Sequence, residues 1–275
     1  MVFFRRIRQE LFRFLPFWKT GNSAGEPTSP TGRYLTYALG EILLVVIGIL
    51  IALQVNNWNE GRKQRLEEVK YFSNLINDLQ ADDERLNNMI FLSEAKVKAA
   101  QDVYKGASLD SIGSLYDFST NMMSLIFVDE FRPNDNTYEE MKSSGNFSMI
   151  RNDDLKLKLM NLRKTYIQLA AAHEHMRFDF NIFLEDFEKY VDWGKYYNLK
   201  KSNIPKLDFV FDNLYIESHK DIMEKEVHTL YKNKIFLNNI FLLEINYTYA
   251  IDAFNTTKTQ IHEIIDILNR EIEQK

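Results

Sequence analysis

The sequence predicts an all-α protein in which a single N-terminal transmembrane helix is followed by an antiparallel helical bundle with three long helices and short connecting helices. Three observations predict this class. One apolar run is long enough to cross a bilayer, three later stretches repeat apolar residues every three or four positions, and the 275 residues include only 10 Gly and 5 Pro. So few Gly and Pro leave little of the turn chemistry that a strand-rich fold requires.

The transmembrane helix is predicted over residues 34–58, YLTYALGEILLVVIGILIALQVNNW. Between Leu35 and Val55 the only formal charge is Glu41. A helix of that length is about 31 Å long, which matches the hydrocarbon core of a bilayer. Tyrosines at one end and Trp58 at the other suit the two membrane interfaces. The alternative, a buried core helix of a soluble protein, rarely needs a run that is apolar on every face.

Residues 1–19 are predicted to form a basic amphipathic segment. Apolar residues recur there at alternating three- and four-residue spacing, with arginines between them: Phe4, Ile7, Leu11, Phe14 and Trp18. Two interpretations fit this pattern. The segment is either a helix that lies among anionic lipid headgroups, or a charged stretch that only orients insertion of the next helix. Residues 20–33, which include TGNSAGEPTSPTG, are predicted to be a flexible linker.

The charges are unevenly distributed along the chain. Residues 1–33 carry six Lys or Arg against two Glu, whereas the residues from Glu60 onward have a net charge of -8. The apolar run starts too late and is too long for a cleaved signal peptide, so an uncleaved signal anchor is predicted. We predict a single-pass protein of the inner membrane, with a cytoplasmic N-terminus and periplasmic residues from about 60 onward. The acidic main domain argues against a nucleic-acid partner.

Residues 59–275 are predicted to form the helical-bundle domain. Three stretches each keep one apolar seam, meaning positions at strict three- and four-residue spacing, as in helices packed at small crossing angles. The first seam is Val69, Phe72, Ile76, Leu79, Asp83, Leu86, Ile90, Ser93, Val97, Ala100 and Tyr104. The second is Leu155, Leu159, Leu162, Tyr166, Leu169, His173, Met176, Phe180, Phe183, Phe187 and Tyr190. The third is Phe236, Ile240, Leu243, Tyr247, Ala250, Phe254, Thr257, Ile261, Ile264 and Leu268.

The connections between these stretches differ in character. Residues 107–150 are predicted to form two or three short helices, and residues 194–217 an irregular or partly extended segment. The sequence TYEE at 137–140 fits a capping box, in which the first and last side chains satisfy each other's free amide groups. The sequence SGN at 144–146 indicates a helix stop, and the ND at 152–153 the cap of the next long helix.

Four stretches carry a family resemblance: FFRRIRQ at 3–9, YALGEI at 37–42, GILIALQVNNWNE at 48–60 and TYEEMKSSG at 137–145. They resemble a family of uncharacterised single-pass membrane proteins from Bacteroidota, known only as a domain of unknown function, with the anchor pattern YALGEIxLVVIGILIALQxNNWNE. The resemblance implies a membrane anchor followed by a helical domain over nearly the whole chain. It implies no activity, and the linker at 20–33 departs from the family's usual compact N-terminus.

The residue types that carry chemistry form no recognisable constellation. The chain has no Cys, which excludes disulfides, thiolate metal sites and a cysteine nucleophile. His173 and His175 are two residues apart and face different sides of a helix, unlike the i, i+4 pair of a zinc site. Acidic clusters such as Asp82-Asp83-Glu84 are interpreted as solvated helix faces. We therefore predict a non-enzymatic protein with no cofactor and no metal site.

Two groups of residues are candidates for function. In the transmembrane helix, Glu41, Gly48 and Ala52 lie on one face, which we interpret as a packing face for a second membrane helix or a second copy. The alternative is that Glu41 reaches the headgroups and the small residues are incidental.

In the bundle, Asp83, Ser93 and His173 interrupt the apolar seams. They indicate either a polar pocket or a satisfied structural contact, for example a pairing of a polar residue of the first seam with His173.

These features lead to three functional hypotheses. The first is a non-enzymatic interaction or scaffold protein of the envelope, whose partners are the lipid bilayer, anionic lipid at the N-terminal segment, and either further copies or another membrane protein. The second is a ligand- or stress-sensing periplasmic module that signals through a partner, which is an analogy of architecture only. The third is a membrane-bound enzyme with no recognisable motif.

Overall fold

The computed structural model describes residues 30–191, 199–201, 209–211 and 213–273. The chain divides into two compact units, Met1–Lys63 and Gln64–Lys275, and each is described by itself. The predicted basic segment at 1–19 and residues 20–29 of the predicted linker lie outside the described residues.

Helix α1 runs from Pro30 to Ser108 and supplies all the described residues of the first unit. It begins at Pro30, so the last four residues of the predicted linker are helical. Proline suits a first helical position because its missing N–H is one that the helix would leave unpaired. Near the end of this unit, Asn56 Nδ2 donates to Glu60 Oε1 over 3.2 Å, one turn along the helix.

Within the described residues, the second unit contains the rest of α1 and nine further elements. They are α2 (Leu115–Ile126), α3 (Asn136–Ser143), a 3-10 helix (Asn146–Met149), α4 (Asp153–Phe187), β1 (Leu199–Lys201), β2 (Phe209–Phe211), α5 (Asn213–Ser218), α6 (Lys220–Lys232) and α7 (Lys234–Glu273). The helical class and the short helices predicted within 107–150 are confirmed. The segment predicted as partly extended contains the antiparallel pair β1–β2, in which Leu199 is opposite Phe211.

Side-chain pairs fix the relative direction of α4 and α7. Lys158 Nζ lies 2.8 Å from Glu263 Oε2, and Asn246 Nδ2 donates to Asp179 Oδ2 over 2.9 Å. As the residue number rises in α4 it falls in α7, so these two helices are antiparallel.

The position of α1 in the second unit follows from the same kind of pair. Gln101 Nε2 donates to Glu244 Oε1 over 2.8 Å, and Lys258 Nζ donates to Asn87 Oδ1. Helix α1 is therefore antiparallel to α7, and it runs in the same direction as α4. The chain between α1 and α4, with α2 and α3, returns along the unit.

The buried side chains that the structure describes in this unit form two clusters. One joins α1 around Ala99 with α2, the C-terminal part of α4, α6 and the first part of α7. The other joins α1 around Phe72 with the first part of α4 and the last part of α7. Seven residues of the second seam are buried (Leu155, Leu159, Leu162, Tyr166, Phe180, Phe183 and Phe187), and so is every third-seam residue except Ala250.

The first seam matches the buried face of α1 at every other position. The residues buried as predicted are Phe72, Leu79, Leu86, Ser93 and Ala100. Between them, the buried residue is often the one just before the predicted residue, namely Glu68, Leu75, Asp82, Lys96 and Val103. The seven-residue repeat is therefore kept along the helix, and the prediction differs by the choice between two neighbouring residues, which are about 100° apart around a helix.

The helix ends confirm two predicted signals and correct a third. Asn152 caps α4, because its Oδ1 accepts from the Leu155 N–H over 3.0 Å. Gly145 follows α3 with a φ of 80°, a left-handed conformation that favours glycine. The predicted capping box at 137–140 is wrong: the cap position of α3 is Asp135, with no capping bond from its own side chain.

Candidate functional site

The predicted packing face of the predicted membrane anchor is open to the surroundings. Glu41, Gly48 and Ala52 are all exposed, and a Cβ atom added at Gly48 would meet nothing within 4 Å. By length and composition, α1 is the helix able to cross a membrane among the described residues, with an 18-residue window of mean hydropathy 2.5 that has no buried residue. A face without contacts is available for a second helix or for lipid, so both interpretations of Glu41 stay predictions.

Asp83 contacts α7 rather than His173. Its Oδ1 lies 2.8 Å from His262 Nε2 and 3.8 Å from Lys258 Nζ. Its Oδ2 accepts from Asn87 Nδ2 over 3.3 Å. Among the described residues Oδ1 has no partner in good hydrogen-bond geometry, so the short contact to His262 is an ion pair only when the histidine is protonated. Asp83 therefore belongs to the rim of the α1–α7 contact.

The other two predicted polar positions are not brought together either. Ser93 is buried in α1. His173 is half-buried in α4 and lies close enough to Glu130 to help lower the pKa of that exposed carboxyl, although the main cause is the hydrogen bond from Arg132. The described part of the chain shows no hydrogen bond that joins His173 to Asp83 or Ser93, and no shared pocket is formed.

The polar centre of the second unit lies on α1 just before Asp83, at Asp78 and Asp82. Asp82 is completely buried, and its two oxygens accept from the Asn134 N–H over 2.7 Å and from the Tyr166 hydroxyl over 2.8 Å. Asp78 accepts from Asn134 Nδ2 over 2.9 Å and from the Thr137 N–H over 3.0 Å. The interpretation of the acidic cluster at 82–84 as a solvated face is therefore wrong for Asp82.

These contacts explain how α3 begins without a capping box. The free N–H of Thr137, in the first turn of α3, is satisfied by a carboxylate from α1. The favourable interaction of a carboxylate with a helix N-terminus adds to this bond. Farther along α3, Glu140 accepts from the Tyr71 hydroxyl over 3.2 Å instead of capping its own helix. The sequence TYEEMKSSG thus forms a short helix that α1 positions.

Burial dominates the electrostatics of this centre. It raises the pKa of Asp82, while the hydrogen bonds from Asn134 and Tyr166 and the charge of Arg85 oppose that rise. Burial also raises the pKa of Tyr166, and the nearby Asp82 carboxylate raises it further. Close by, Arg163 pairs with Asp135 and with Glu139. The charged and polar side chains of this centre therefore bind one another.

The space beside this centre is small. A cavity of about 30 Å³ lies between α1, α3 and α4, and its lining consists of four leucines together with Asp78, Asn134, Asp135, Tyr138, Arg163 and Tyr166. That volume suits about one water molecule and is far below that of an organic ligand.

A second buried charge, Lys96, holds the chain that follows α2. Its Nζ donates to the Phe127 carbonyl and to Asp129 Oδ2, the latter over 2.8 Å, and lies 4.9 Å from the centre of the Tyr247 ring. Burial lowers the pKa of Lys96, and Asp129 opposes this. The ammonium group ties α1, the 127–129 segment and α7 together.

The sequence analysis did not identify Asp78, Asp82 and Lys96 as buried polar residues, although the sequence contains a signal for the two aspartates. Asp78 and Asp82 are four residues apart, so they share a helix face, and that face borders the buried Leu75 and Leu79. A pair of carboxylates next to a seam was the available signal. Across the described ranges, no group of three or more His, Asp or Glu side chains is arranged to hold a metal ion.

Comparison with known proteins gives one match. A sequence profile described as "Family of unknown function (DUF6090)" matches residues 41–224. No curated protein and no solved structure matches the chain.

Proposed function

We propose a function for this chain, which belongs to the Family of unknown function (DUF6090). It is a single-pass membrane protein whose helical-bundle domain is a non-enzymatic interaction or scaffold module of the envelope. The observation that carries this proposal is the exposed apolar stretch of α1. Its most apolar window is entirely unburied, which would be costly in water for a helix of this composition. Lipid is the surrounding that removes this cost.

The polar interior supports a structural rather than a catalytic role for the buried charges. Glu68 accepts from Arg65 and from the Arg151 N–H, and Asp82 and Lys96 are engaged as described above. Each of these groups uses its charge to join α1 to another segment. A general acid or base needs a proton-transferring atom that faces the substrate. The hydrogen bonds of these side chains are instead made to groups of the fold itself.

The location and partners are part of the same proposal. The excess of basic residues before the anchor, together with the resemblance of the anchor to those of single-pass proteins from Bacteroidota, supports an inner-membrane location with a cytoplasmic N-terminus and a periplasmic domain. Anionic lipid would bind the N-terminal segment. Further copies or another membrane protein would bind the domain and the face that contains Glu41, Gly48 and Ala52.

Membrane extraction tests the anchor. We expect the full chain to stay in the membrane pellet after an alkaline carbonate wash. Ile47→Arg places a charge near the centre of the apolar run and should cost roughly 3 kcal/mol of insertion free energy, so much of this variant should become extractable. Ile47→Leu is the matched control and should behave as the wild type. Wild-type protein in the carbonate supernatant would contradict the proposal.

Purification and cross-linking test the interaction role. In mild detergent, the protein should copurify in fixed stoichiometry with further copies or with a second membrane protein. Cross-linking in membranes should yield less of this complex for Glu41→Leu and Gly48→Leu than for wild type if the anchor face packs against a helix. A lone monomer in both experiments would count against a scaffold.

A further inference from the structure

We infer that the surface formed by Phe178, Ile182, Phe241, Leu242 and Tyr249, here called the α4–α7 patch, is where two copies of this chain associate. This inference deepens the proposed function and rests on it, because anchorage of both copies in one membrane raises their effective concentration. The five side chains are between 42% and 72% exposed. They lie on the two helices whose opposite faces form the core of the unit.

Helix geometry places the patch on one side. The hydrogen bond between Asp179 and Asn246 marks the line along which α4 and α7 face each other. At about 100° per residue, Phe178 and Ile182 are turned to one side of Asp179, and the buried Phe180 and Phe183 to the other. On the antiparallel helix α7, the same rotation measured from Asn246 leads to the same side of the helix pair. Leu242 and Tyr249 therefore lie on the side of Phe178, whereas Leu243 and Tyr247 point into the core.

The size and composition of the patch fit a homodimer contact. A fully buried aromatic side chain covers about 150–250 Å², so five large apolar side chains at these exposures present on the order of 500 Å². That is near the upper end for the largest apolar patch of a monomer. Two such patches against each other would bury about 1,000 Å², which is close to the lower limit for a specific interface. Three aromatic residues among five match the enrichment seen at interface cores.

Charges farther along the same side, about 20 Å from the patch, fit a second copy as the occupant. Lys164 is exposed on α4 next to Thr165, which bonds Gln260 of α7 over 3.1 Å. Glu263, three residues beyond Gln260, is turned to the same side as Lys164; it is about half exposed and lies 2.8 Å from Lys158 Nζ of its own α4. If α4 of one copy faces α7 of the other about a two-fold axis that runs along the helices, Lys164 approaches Glu263 of the second copy and adds a cation to its pair with Lys158, and this arrangement occurs twice.

The absence of native cysteine makes the test direct. Leu242→Cys places a thiol close to the proposed two-fold axis, and Glu94→Cys places one on an exposed position of α1. In oxidised membranes, the full chain with Leu242→Cys should form several-fold more disulfide-linked dimer than the chain with Glu94→Cys. Adding Tyr249→Lys should reduce that yield to the Glu94→Cys level at unchanged melting temperature, whereas Tyr249→Phe should keep it.

Each result decides the inference separately from the proposed function. Equal yields for the two cysteine variants, in protein that resists carbonate extraction, would overturn the patch as a self-association site and leave the anchor in place. A cross-linked band of another mass would show a different occupant and would also overturn it. Extractable protein that still forms the Leu242→Cys dimer would contradict the anchor and support the patch.

Discussion

At the scale of single residues, the second unit depends on charged side chains that water does not reach. Asp82 accepts two hydrogen bonds inside the protein, from a backbone N–H and from the Tyr166 hydroxyl. A buried donor that loses its acceptor costs about 1–3 kcal/mol, more than the net gain from making an ordinary hydrogen bond. The effect of a substitution at Asp82 is therefore decided by whether the replacement still accepts.

We expect Asp82→Ala to lower the free energy of unfolding by about 2–4 kcal/mol, because two buried donors lose their acceptor. Asp82→Asn keeps one carbonyl oxygen and should cost less. Urea unfolding of the full chain in mild detergent measures both. Tyr166→Phe removes the donor as well, so adding it to Asp82→Ala should cost little more than Asp82→Ala alone. Additive losses would show that the two groups do not interact.

The pH dependence of stability at Asp82 has a definite sign. Because burial raises its pKa in the folded state, the folded protein binds more protons than the unfolded chain above pH 3.8, the ordinary value. Stability therefore falls as pH rises from that value through the raised pKa. Asp82→Asn has no such proton, so the stability of this variant relative to wild type should increase over the same window and then level off. A constant difference across the window would contradict the raised pKa.

Gly106 shows a second local constraint, where α1 approaches α6. An added Cβ would lie 2.5 Å from Tyr231 Oη and 3.0 Å from the Ser111 carbonyl oxygen. Tyr231 is buried and its ring packs edge-on against Phe118, so the ring has little room to move. The same burial raises the pKa of Tyr231 to about 12. Gly106→Ala should therefore destabilise the protein by about 1–3 kcal/mol through overpacking.

A matched control for this change is Gly61→Ala, because a Cβ there meets nothing within 4 Å. It should not lower the melting temperature. Tyr231→Phe removes the nearest atom and should restore part of the stability that Gly106→Ala loses. A Gly106→Ala protein as stable as wild type would show that the close approach at Tyr231 relaxes freely.

At the scale of elements, the sequence predicts what local periodicity controls and misses what distant groups control. The seams of α4 and α7 and the cap at Asn152 follow from spacing and local side-chain chemistry, and they are confirmed. The start of α3 was predicted wrongly because the group that satisfies its first turn, Asp78, comes from a helix 59 residues earlier. No local pattern contains that partner.

Asp78→Ala should therefore loosen α3 more than it loosens the whole unit. It removes the acceptor for the Thr137 N–H and for Asn134 Nδ2, a loss comparable to that of a helix cap, about 0.5–2 kcal/mol. Hydrogen exchange of the 137–143 amides should become faster by about the factor that corresponds to this loss of free energy, whereas the exchange of the α7 amides should change less. The exposed neighbour Asn77→Ala serves as the control. Equal protection of α3 in both variants would contradict this cap.

At the scale of the whole molecule, the composition of the sequence predicts a cellular location more readily than it predicts a function. A helix able to span a membrane can be predicted from the sequence because hydrocarbon requires a certain length and apolarity. The candidate sites cannot be predicted in this way. Asp83, Ser93 and His173 all interrupt an apolar seam, but they lie in different parts of the unit, and their contacts depend on which helices pack together. The buried centre at Asp78 and Asp82 lies beside a predicted seam, and only tertiary packing distinguishes it from a solvated face.

The proposed topology gives a prediction for the complete protein in cells. Single cysteines introduced into this cysteine-free chain report the side of the membrane on which they lie. Thr256→Cys, exposed on α7, should react with a membrane-impermeant maleimide once the outer membrane is permeabilised. Ser23→Cys, before the anchor, should react only after the inner membrane is opened, because the basic residues there favour the cytoplasmic side. The reverse labelling order would invert the topology, and labelling of both sites before lysis of the inner membrane would exclude a single span.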